Sequence, residues 1–229
     1  MQIKFLGTGG AFDTDYLNSA ALLEFRGIQL LIDCGFTVFP TLVKKNLVHK
    51  VDHILLTHLH NDHSGSLANL LLYKRIIEKS PLPVILYPSE QFKQQLYRFL
   101  EIQLKDPDLY ADFVPLEQFE GINFVDTYGQ HSEGLQTYAY IFDNDYRIAY
   151  SGDLARPEAL FDRLQRMPEK KTCVFHDITF SAENTSHTYY KKLLPYMNGM
   201  QIYGYHCDPT QSPADNPIRL VFYEHDLLA

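Results

Sequence analysis

The chain has 229 residues, 45% of them hydrophobic and 21% charged, which is a globular composition long enough to bury one large core. Its formal net charge of -8 argues against a large polyanionic partner, because proteins that bind nucleic acid usually present a basic face. No apolar run approaches the roughly 18 residues of a membrane span, and no signal sequence is visible at the start. The three cysteines lack paired spacing, which is typical of a reducing compartment, so we expect a single cytoplasmic domain over residues 1–229.

Short β-rich runs open the chain, and helical patterns follow between later runs. The strand candidates are "IKFL", "AALLEF", "IQLLID", "VDHILLT", "PLPVILYP", "INFVDTY", "TYAYIF", "YRIAY", "TCVFHDITF" and "MQIYGYH". Apolar spacing predicts helices over 64–78, from a cap at Ser89 to about Lys105, and from Tyr189 to Tyr196. Because hairpins occur in both halves, this order favours two mixed β-sheets packed together with helices outside, an α/β (α+β) architecture.

The segment "THLHNDHSG" crowds polar groups directly after the apolar run "HILL". Other histidine and aspartate side chains also follow predicted strands, so we expect them to meet at one edge of the sheets. The candidates are His58, His60, Asp62, His63, His131, Asp153 and His206. Imidazole and carboxylate suit divalent metals such as zinc, and burying this much polarity without a metal costs several kcal/mol. Two ions about 3.5–4 Å apart can polarise a substrate and generate a hydroxide.

Isolated histidines have a simpler interpretation. A single histidine near a strand end is more often a hydrogen-bonded structural residue than a ligand. We interpret His49, His53 and His225 in this way.

The clustered motif resembles the HxHxDH signature of the metallo-β-lactamase superfamily. Five further segments resemble motifs of the family and occur in its order. They are "FLGTGGAF" with "LLIDCG", then His131 in "GQHSEG", Asp153 in "YSGD" and His206 in "YGYH". The resemblance covers nearly the whole chain and implies a four-layer αββα sandwich with a dinuclear metal site at one edge.

Residue roles follow from the matching positions. The resemblance assigns His58, His60 and His131 to one metal, and Asp62, His63 and His206 to the other, with Asp153 as the bridge. It makes Asp33 a residue that orients the histidine loop without binding metal. We expect two divalent ions, zinc first, with manganese or iron as alternatives.

Two more segments indicate a branch of the family. "FHDITF" is similar to the HEAT motif of ribonuclease Z, with Asp177 in place of Glu, and "TSHTYY" resembles its HST motif and contains His187. In that branch the histidine faces the scissile phosphate and the acidic residue holds it. The other interpretation makes His187 a helix cap and Asp177 a surface residue.

One departure concerns the substrate. Ribonuclease Z enzymes that process tRNA carry a Gly- and Pro-rich arm, and no segment here has that composition. The resemblance therefore favours the small cyclic-nucleotide phosphodiesterases. We predict a metal-dependent hydrolase that cleaves a small nucleotide-type phosphodiester by metal-hydroxide attack, with Asp62, His187 and Asp177 as catalytic residues. Processing of tRNA is disfavoured, no membrane partner is expected, and the oligomeric state stays open, a homodimer included.

Alternatives from other classes remain at this point. The same scaffold supports hydrolysis of a lactone, thioester or β-lactam, and the His187–Asp177 pair is what discriminates against them. A di-iron redox protein typically replaces a histidine of the cluster with Glu, whereas this chain keeps His60. A binding module without turnover would not need Asp62.

Overall fold

A computed structural model describes residues 1–222 together with the backbone of Asp226 and Leu227. Its strands, in chain order, are β1 (Gln2–Gly7), β2 (Ala20–Phe25), β3 (Ile28–Ile32), β4 (His53–Leu55), β5 (Val84–Tyr87), β6 (Asp112–Pro115), β7 (Ile122–Asp126), β8 (Tyr138–Asp143), β9 (Arg147–Tyr150), β10 (Thr172–Asp177), β11 (Met200–Tyr205), β12 (Arg219–Leu220) and β13 (Asp226–Leu227). The α-helices are α1 (Val38–Lys44), α2 (Asn61–Ser64), α3 (Leu67–Tyr73), α4 (Glu90–Leu104) and α5 (Glu158–Arg166). Short 3-10 segments join them, of which Tyr190–Tyr196 is the longest in the described part of the chain.

The strands form two mixed sheets. Within the described residues, the first sheet has the order β13-β1-β2-β3-β4-β5-β6 and the second has the order β12-β11-β10-β9-β8-β7. In the first sheet β1, β2 and β3 are antiparallel neighbours, and β3, β4, β5 and β6 run parallel. In the second, β7, β8 and β9 are antiparallel and β9 to β12 run parallel. Each half therefore joins a hairpin to parallel strands, and the predicted pair of mixed sheets is confirmed.

Aromatic side chains hold the two sheets face to face. The ring of Phe5 on β1 lies 5.1 Å from that of Phe175 on β10 and 5.8 Å from that of Tyr205 on β11, all three being buried. Such tilted aromatic pairs contribute stability beyond that gained from the apolar area they bury. The apolar face of α5, with Phe161 and Leu164, packs outside the second sheet in a separate cluster that includes Val174. These layers give the predicted αββα sandwich.

Local sequence signals explain several element boundaries. Ser89 caps α4, since its Oγ accepts a hydrogen bond from the Phe92 N–H, and α4 ends at Leu104 as predicted. Arg26 and Gly27 both have positive φ in the two-residue turn between β2 and β3. The helix predicted over 64–78 begins later, at Leu67, and finishes as a π-helical turn at Glu78. None of the helices in the described part of the chain combines the length and hydropathy that crossing a membrane requires.

Candidate metal centre

The polar cluster lies where the strands of both sheets end. His58 and the turn of α2 follow β4, Asp153 follows β9, and His206 comes directly after β11. His131 lies in the loop between β7 and β8. These chain ends converge because the two sheets pack face to face, and they form the edge at which the sequence predicted a site.

One group of potential ligand atoms consists of His58, His60 and His131. His131 Nε2 lies 3.1 Å from His60 Nδ1, and the ring centroids of His58 and His60 are 4.8 Å apart. The other ring nitrogen of His131 donates to the Ser186 carbonyl at 2.8 Å, which leaves Nε2 facing the cluster. Three imidazoles with nitrogens directed at one point form a donor set suited to zinc and similar metals.

A second group consists of Asp62, His63, Asp153 and His206, and all four are buried. Asp62 Oδ2 is 3.3 Å from both His63 Nε2 and His206 Nε2, and the two imidazole nitrogens are 3.4 Å apart. This spacing leaves one small ion within reach of all of them.

Asp153 connects the two groups through its two oxygens. Its Oδ2 lies 3.5 Å from His131 Nε2 and 3.9 Å from His58 Nε2, whereas its Oδ1 lies 3.3 Å from His63 Nε2 and 3.5 Å from His206 Nε2. One carboxylate oxygen therefore faces each group, which is the arrangement of a bridging ligand.

Asp33 orients the histidine loop from behind. It is fully buried, its Oδ2 accepts a hydrogen bond from His63 Nδ1 at 2.9 Å, and its Oδ1 accepts from the Thr57 N–H at 2.7 Å. Asp33 has a φ of 63°, and a backbone held in this region is strained for a residue other than glycine. Next to it, a Cβ on Gly35 would lie 1.9 Å from the Asp62 carbonyl oxygen, so only glycine permits this approach of the loop.

The electrostatics of the cluster fit bound cations. Burial lowers the pKa of His58 well below its usual value, which keeps the imidazole neutral. Burial would raise the pKa of Asp153, yet His206 and His63 hold it well below its ordinary range. Among the described residues, His58 Nε2 and Asp153 Oδ1 are buried without a hydrogen-bond partner, and a buried polar atom left in this state is costly. The donor set, its burial and these unsatisfied atoms fit two divalent ions.

His187 and Asp177 lie at the open side of the same cluster. His187 Nδ1 is 2.8 Å from Asp177 Oδ2 and 4.0 Å from Asp153 Oδ2. Burial lowers the pKa of His187, but the hydrogen bond and charge of Asp177 outweigh it and raise this pKa to about 9. Asp177 is completely buried, so its interpretation as a surface residue is wrong. A protonated imidazole held in one orientation can donate a proton to a bound substrate.

Backbone groups that orient the ligands carry no sequence signal. The Ser186 carbonyl fixes His131, and the Thr8 carbonyl accepts the His206 N–H at 2.8 Å, where His206 has a φ of 61°. The Thr57 Oγ lies 3.0 Å from His58 Nδ1. Its position directly before the histidine cluster is the sequence signal that could have identified Thr57 as part of the site.

The remaining histidines and the cysteines lie outside the cluster. His53 is at the start of β4, where its ring packs edge-on against Phe119 at 5.4 Å, and His49 lies in a 3-10 segment. His225 lies outside the described residues. The three cysteines are free, and Cys207 does not join the ligand group of its neighbour His206.

The sandwich and its ligand cluster define a metal-dependent hydrolase of the metallo-β-lactamase fold. A family model described as "Anti-Pycsar protein Apyc1" matches residues 1–219, and the chain belongs to this family. The Anti-Pycsar protein Apyc1 of Paenibacillus sp. (strain J14) is 30% identical over 217 residues, which cover 85% of this chain and 83% of that protein.

Two solved structures are similar over the full length. The metallo-β-lactamase fold protein YhfI from Bacillus subtilis has a TM-score of 0.76 at 16% identity, covering 99% of this chain and 98% of its own. A diphosphatase from the PhnP family has a TM-score of 0.71 at 18% identity, covering 100% and 97%. These similarities confirm the fold that the motifs implied.

Proposed function

We propose that the chain is a dinuclear phosphodiesterase that hydrolyses a nucleoside cyclic phosphate. The observation that carries this proposal is the His187–Asp177 pair beside the ligand cluster, with 2.8 Å between His187 Nδ1 and Asp177 Oδ2. A thioester releases a thiolate, which departs without a proton, whereas the ribose oxygen of a phosphodiester is a poor leaving group that needs one. A positioned proton donor at this place therefore favours the phosphodiester.

The proposed ligand sets follow the two groups of atoms. His58, His60 and His131 would hold one ion, and Asp62, His63 and His206 the other, with Asp153 between them. We propose zinc as the native metal, since three imidazoles and a carboxylate form a common zinc donor set. The ions would supply Lewis acidity to the phosphate oxygens and make water nucleophilic near neutral pH.

The protein groups would then act at defined atoms. Asp62 Oδ2, directed at the second group of ligands, can accept a proton from the attacking water and hold that water in line with phosphorus. His187 uses Nδ1 for Asp177, so its Nε2–H is the group free to protonate the leaving ribose oxygen. Asp177 keeps the imidazole in this orientation.

Hydrolysis of a carboxylic ester or thioester on the same scaffold is the second candidate. The metal-ligand cluster itself would serve either reaction, so the two candidates have to be compared on their substrates. We also propose a cytoplasmic location and a small-molecule substrate, in keeping with the net charge of -8.

A substrate panel tests the proposal. Protein purified without chelator would be assayed with nucleoside 3′,5′-cyclic phosphates, bis(p-nitrophenyl) phosphate, a lactone, a thioester and a β-lactam. We expect turnover of the cyclic phosphates and of the nitrophenyl diester. Turnover of the lactone or thioester alone would overturn the proposal and select the second candidate.

A further inference from the structure

The loop that carries His187 is closed at its base by backbone hydrogen bonds. It spans residues 180–188, and we call it the His187 loop. At its base the Thr179 N–H donates to the Thr188 carbonyl at 2.8 Å, and the Tyr190 N–H donates to the Thr179 carbonyl at 3.1 Å. The loop itself lies outside helices and strands, so its conformation depends on bonds formed within it.

Two neighbouring residues of the His187 loop contact different parts of the candidate metal centre. The Ser186 carbonyl accepts a hydrogen bond from Nδ1 of the candidate ligand His131 at 2.8 Å. The next residue, His187, directs its Nδ1 to the Asp177 carboxylate, also at 2.8 Å. A shift of the backbone at Ser186 and His187 would therefore change the orientation of a candidate ligand and the position of the proposed proton donor together.

The C-terminal end of the His187 loop has its own anchor. Thr188 is buried, and its Oγ1 donates to the Leu154 carbonyl at 2.5 Å. Leu154 directly follows Asp153, the proposed bridging ligand. Residues 181–183, by contrast, are exposed. The stretch that leads from these exposed residues to Ser186 is thus the part of the loop whose backbone needs another support.

Asn184 provides that support through a single side-chain oxygen. Its Oδ1 accepts a hydrogen bond from the Ser186 N–H at 2.8 Å and a second from the His187 N–H at 3.0 Å. Asparagine forms such turns readily, because its short side chain reaches the backbone two residues further on. One oxygen therefore holds the backbone of both residues that contact the candidate ligand and the buried carboxylate.

We propose that Asn184 is a positioning residue that couples the ligand group containing His131 to the proton donor His187. This inference rests on the proposed function, since it takes His187 as the group that protonates the leaving oxygen. Through the Ser186 carbonyl, Asn184 would set the orientation of His131 and with it the affinity of that group for its ion. Through the backbone of His187, it would keep the imidazole directed at the leaving oxygen.

Zinc titration of metal-free protein measures the first effect without any turnover. The His206→Ala background leaves only the group containing His131 complete. In this background Asn184→Ala should weaken zinc binding by about tenfold, the scale found for residues that orient a ligand. In a His60→Ala background, where the other group is the complete one, Asn184→Ala should leave the zinc affinity unchanged. Asn184→Asp keeps the accepting oxygen and should retain the affinity of the parent in both backgrounds.

Steady-state kinetics at saturating zinc measure the second effect. Asn184→Ala should lower kcat for guanosine 3′,5′-cyclic phosphate by about tenfold at unchanged KM, which is part of the effect of a general acid. It should lower kcat for bis(p-nitrophenyl) phosphate much less, because p-nitrophenolate leaves without a proton. Asn184→Gln, whose longer side chain does not close the same turn, should repeat this pattern, and Asn184→Asp should restore the wild-type values.

A matched control comes from a comparable turn elsewhere in the chain. The Oδ1 of Asn216 accepts the Ile218 N–H at 3.0 Å in the segment that leads into β12. Asn216→Ala removes this turn and should keep the wild-type zinc affinities and the wild-type ratio of the two kcat values.

The outcomes separate Asn184 from the reaction. Unchanged zinc affinity in the His206→Ala background, or an equal loss in both backgrounds, would overturn the coupling. Equal losses of kcat on the two substrates, or a loss in Asn184→Asp as large as in Asn184→Ala, would overturn it as well. If the wild type left the cyclic phosphate intact, the proposed reaction would fail, and the zinc titrations would still decide whether Asn184 positions His131.

Discussion

His187 Nδ1 lies 2.8 Å from Oδ2 of Asp177, a carboxylate that is completely buried, and the His187 side chain remains 21% exposed. The buried partner therefore fixes the orientation of an imidazole whose Nε2 makes no hydrogen bond within the described part of the chain. Under the proposed function this pair, ten residues apart in the chain, would protonate the leaving group of a phosphodiester.

The first prediction concerns the leaving group. His187→Ala should slow hydrolysis of a ribose phosphodiester by roughly 100-fold or more, since general acids contribute on that scale. The same variant should slow bis(p-nitrophenyl) phosphate much less, because p-nitrophenolate leaves without a proton. Steady-state kcat/KM on both substrates measures the difference.

Asp177→Asn is the companion variant, and it should give the same pattern more weakly because Asp177 only orients the imidazole. Equal losses on both substrates would mean that His187 binds phosphate or supports the loop. No loss of activity on either substrate would favour the other interpretation, in which His187 is a helix cap.

The second prediction concerns Asp62. Its Oδ2 lies 3.3 Å from both His63 Nε2 and His206 Nε2, where it can ligate an ion and hold a water. Asp62→Ala should reduce turnover by at least about 100-fold while the fold persists. Activity would be compared with circular dichroism and metal content, and a near-native rate with full metal content would remove Asp62 from the mechanism.

The third prediction concerns metal stoichiometry and stability. Elemental analysis of chelator-free protein should give two ions per chain, and His206→Ala should lose one of them, since it removes a ligand from only the second group. Chelation should lower Tm, because a ligand that binds only the folded state stabilises it, and because the buried Asp153 Oδ1 and His58 Nε2 have no hydrogen-bond partner among the described residues. At most one ion per wild-type chain would contradict the dinuclear site.

The fourth prediction concerns pH and the ion pair at the turn between β8 and β9. Arg147 is buried, and its guanidinium lies 3.3 Å from Asp143, which Lys170 also contacts at 2.5 Å. Burial would raise the pKa of Asp143, yet its bonds to Lys170 and Arg147 lower it below the usual 3.8. A lowered native pKa means that this stabilisation is present above about pH 4 and is lost as the pH falls through the native value.

Asp143→Asn should therefore reduce the free energy of unfolding by about 2 kcal/mol at pH 7, less than for a fully buried pair because Asp143 is partly exposed. Urea unfolding measures it, and the deficit should shrink below pH 4. Asp145→Asn, an exposed aspartate of the same turn, is the control and should change little. A deficit that stays constant down to pH 3 would contradict the assignment to the ionised carboxylate.

Much of the edge that carries the cluster was predictable from the sequence. His58, Asp153 and His206 each come directly after an apolar run that predicts a strand. Because the ends of packed strands lie at one edge of the sheets, the sequence predicted that these three side chains would lie close together. Asp33 and His63 are thirty residues apart in the chain. The role of Asp33 in orienting the histidine loop was predicted from the resemblance to the family, because the residue pattern alone does not indicate it. The His187–Asp177 contact was likewise expected from two short motifs.

Other features depend on the folded chain and could not be predicted. The strand β6 has only four residues, none of them buried, and it exists because β5 offers a parallel edge. The Ser186 carbonyl that fixes His131 has no side-chain signature.

Labelling with oxygen-18 tests most directly whether the protein hydrolyses a nucleoside cyclic phosphate by attack of water on phosphorus. Metal-loaded protein would be incubated with guanosine 3′,5′-cyclic phosphate in water enriched in oxygen-18, and the product examined by phosphorus NMR. We expect a guanosine monophosphate that carries one oxygen-18 on phosphorus, formed by attack of water opposite the ribose oxygen that His187 protonates. An intact cyclic phosphate in the presence of a full metal complement, or a product without the label on phosphorus, would contradict it.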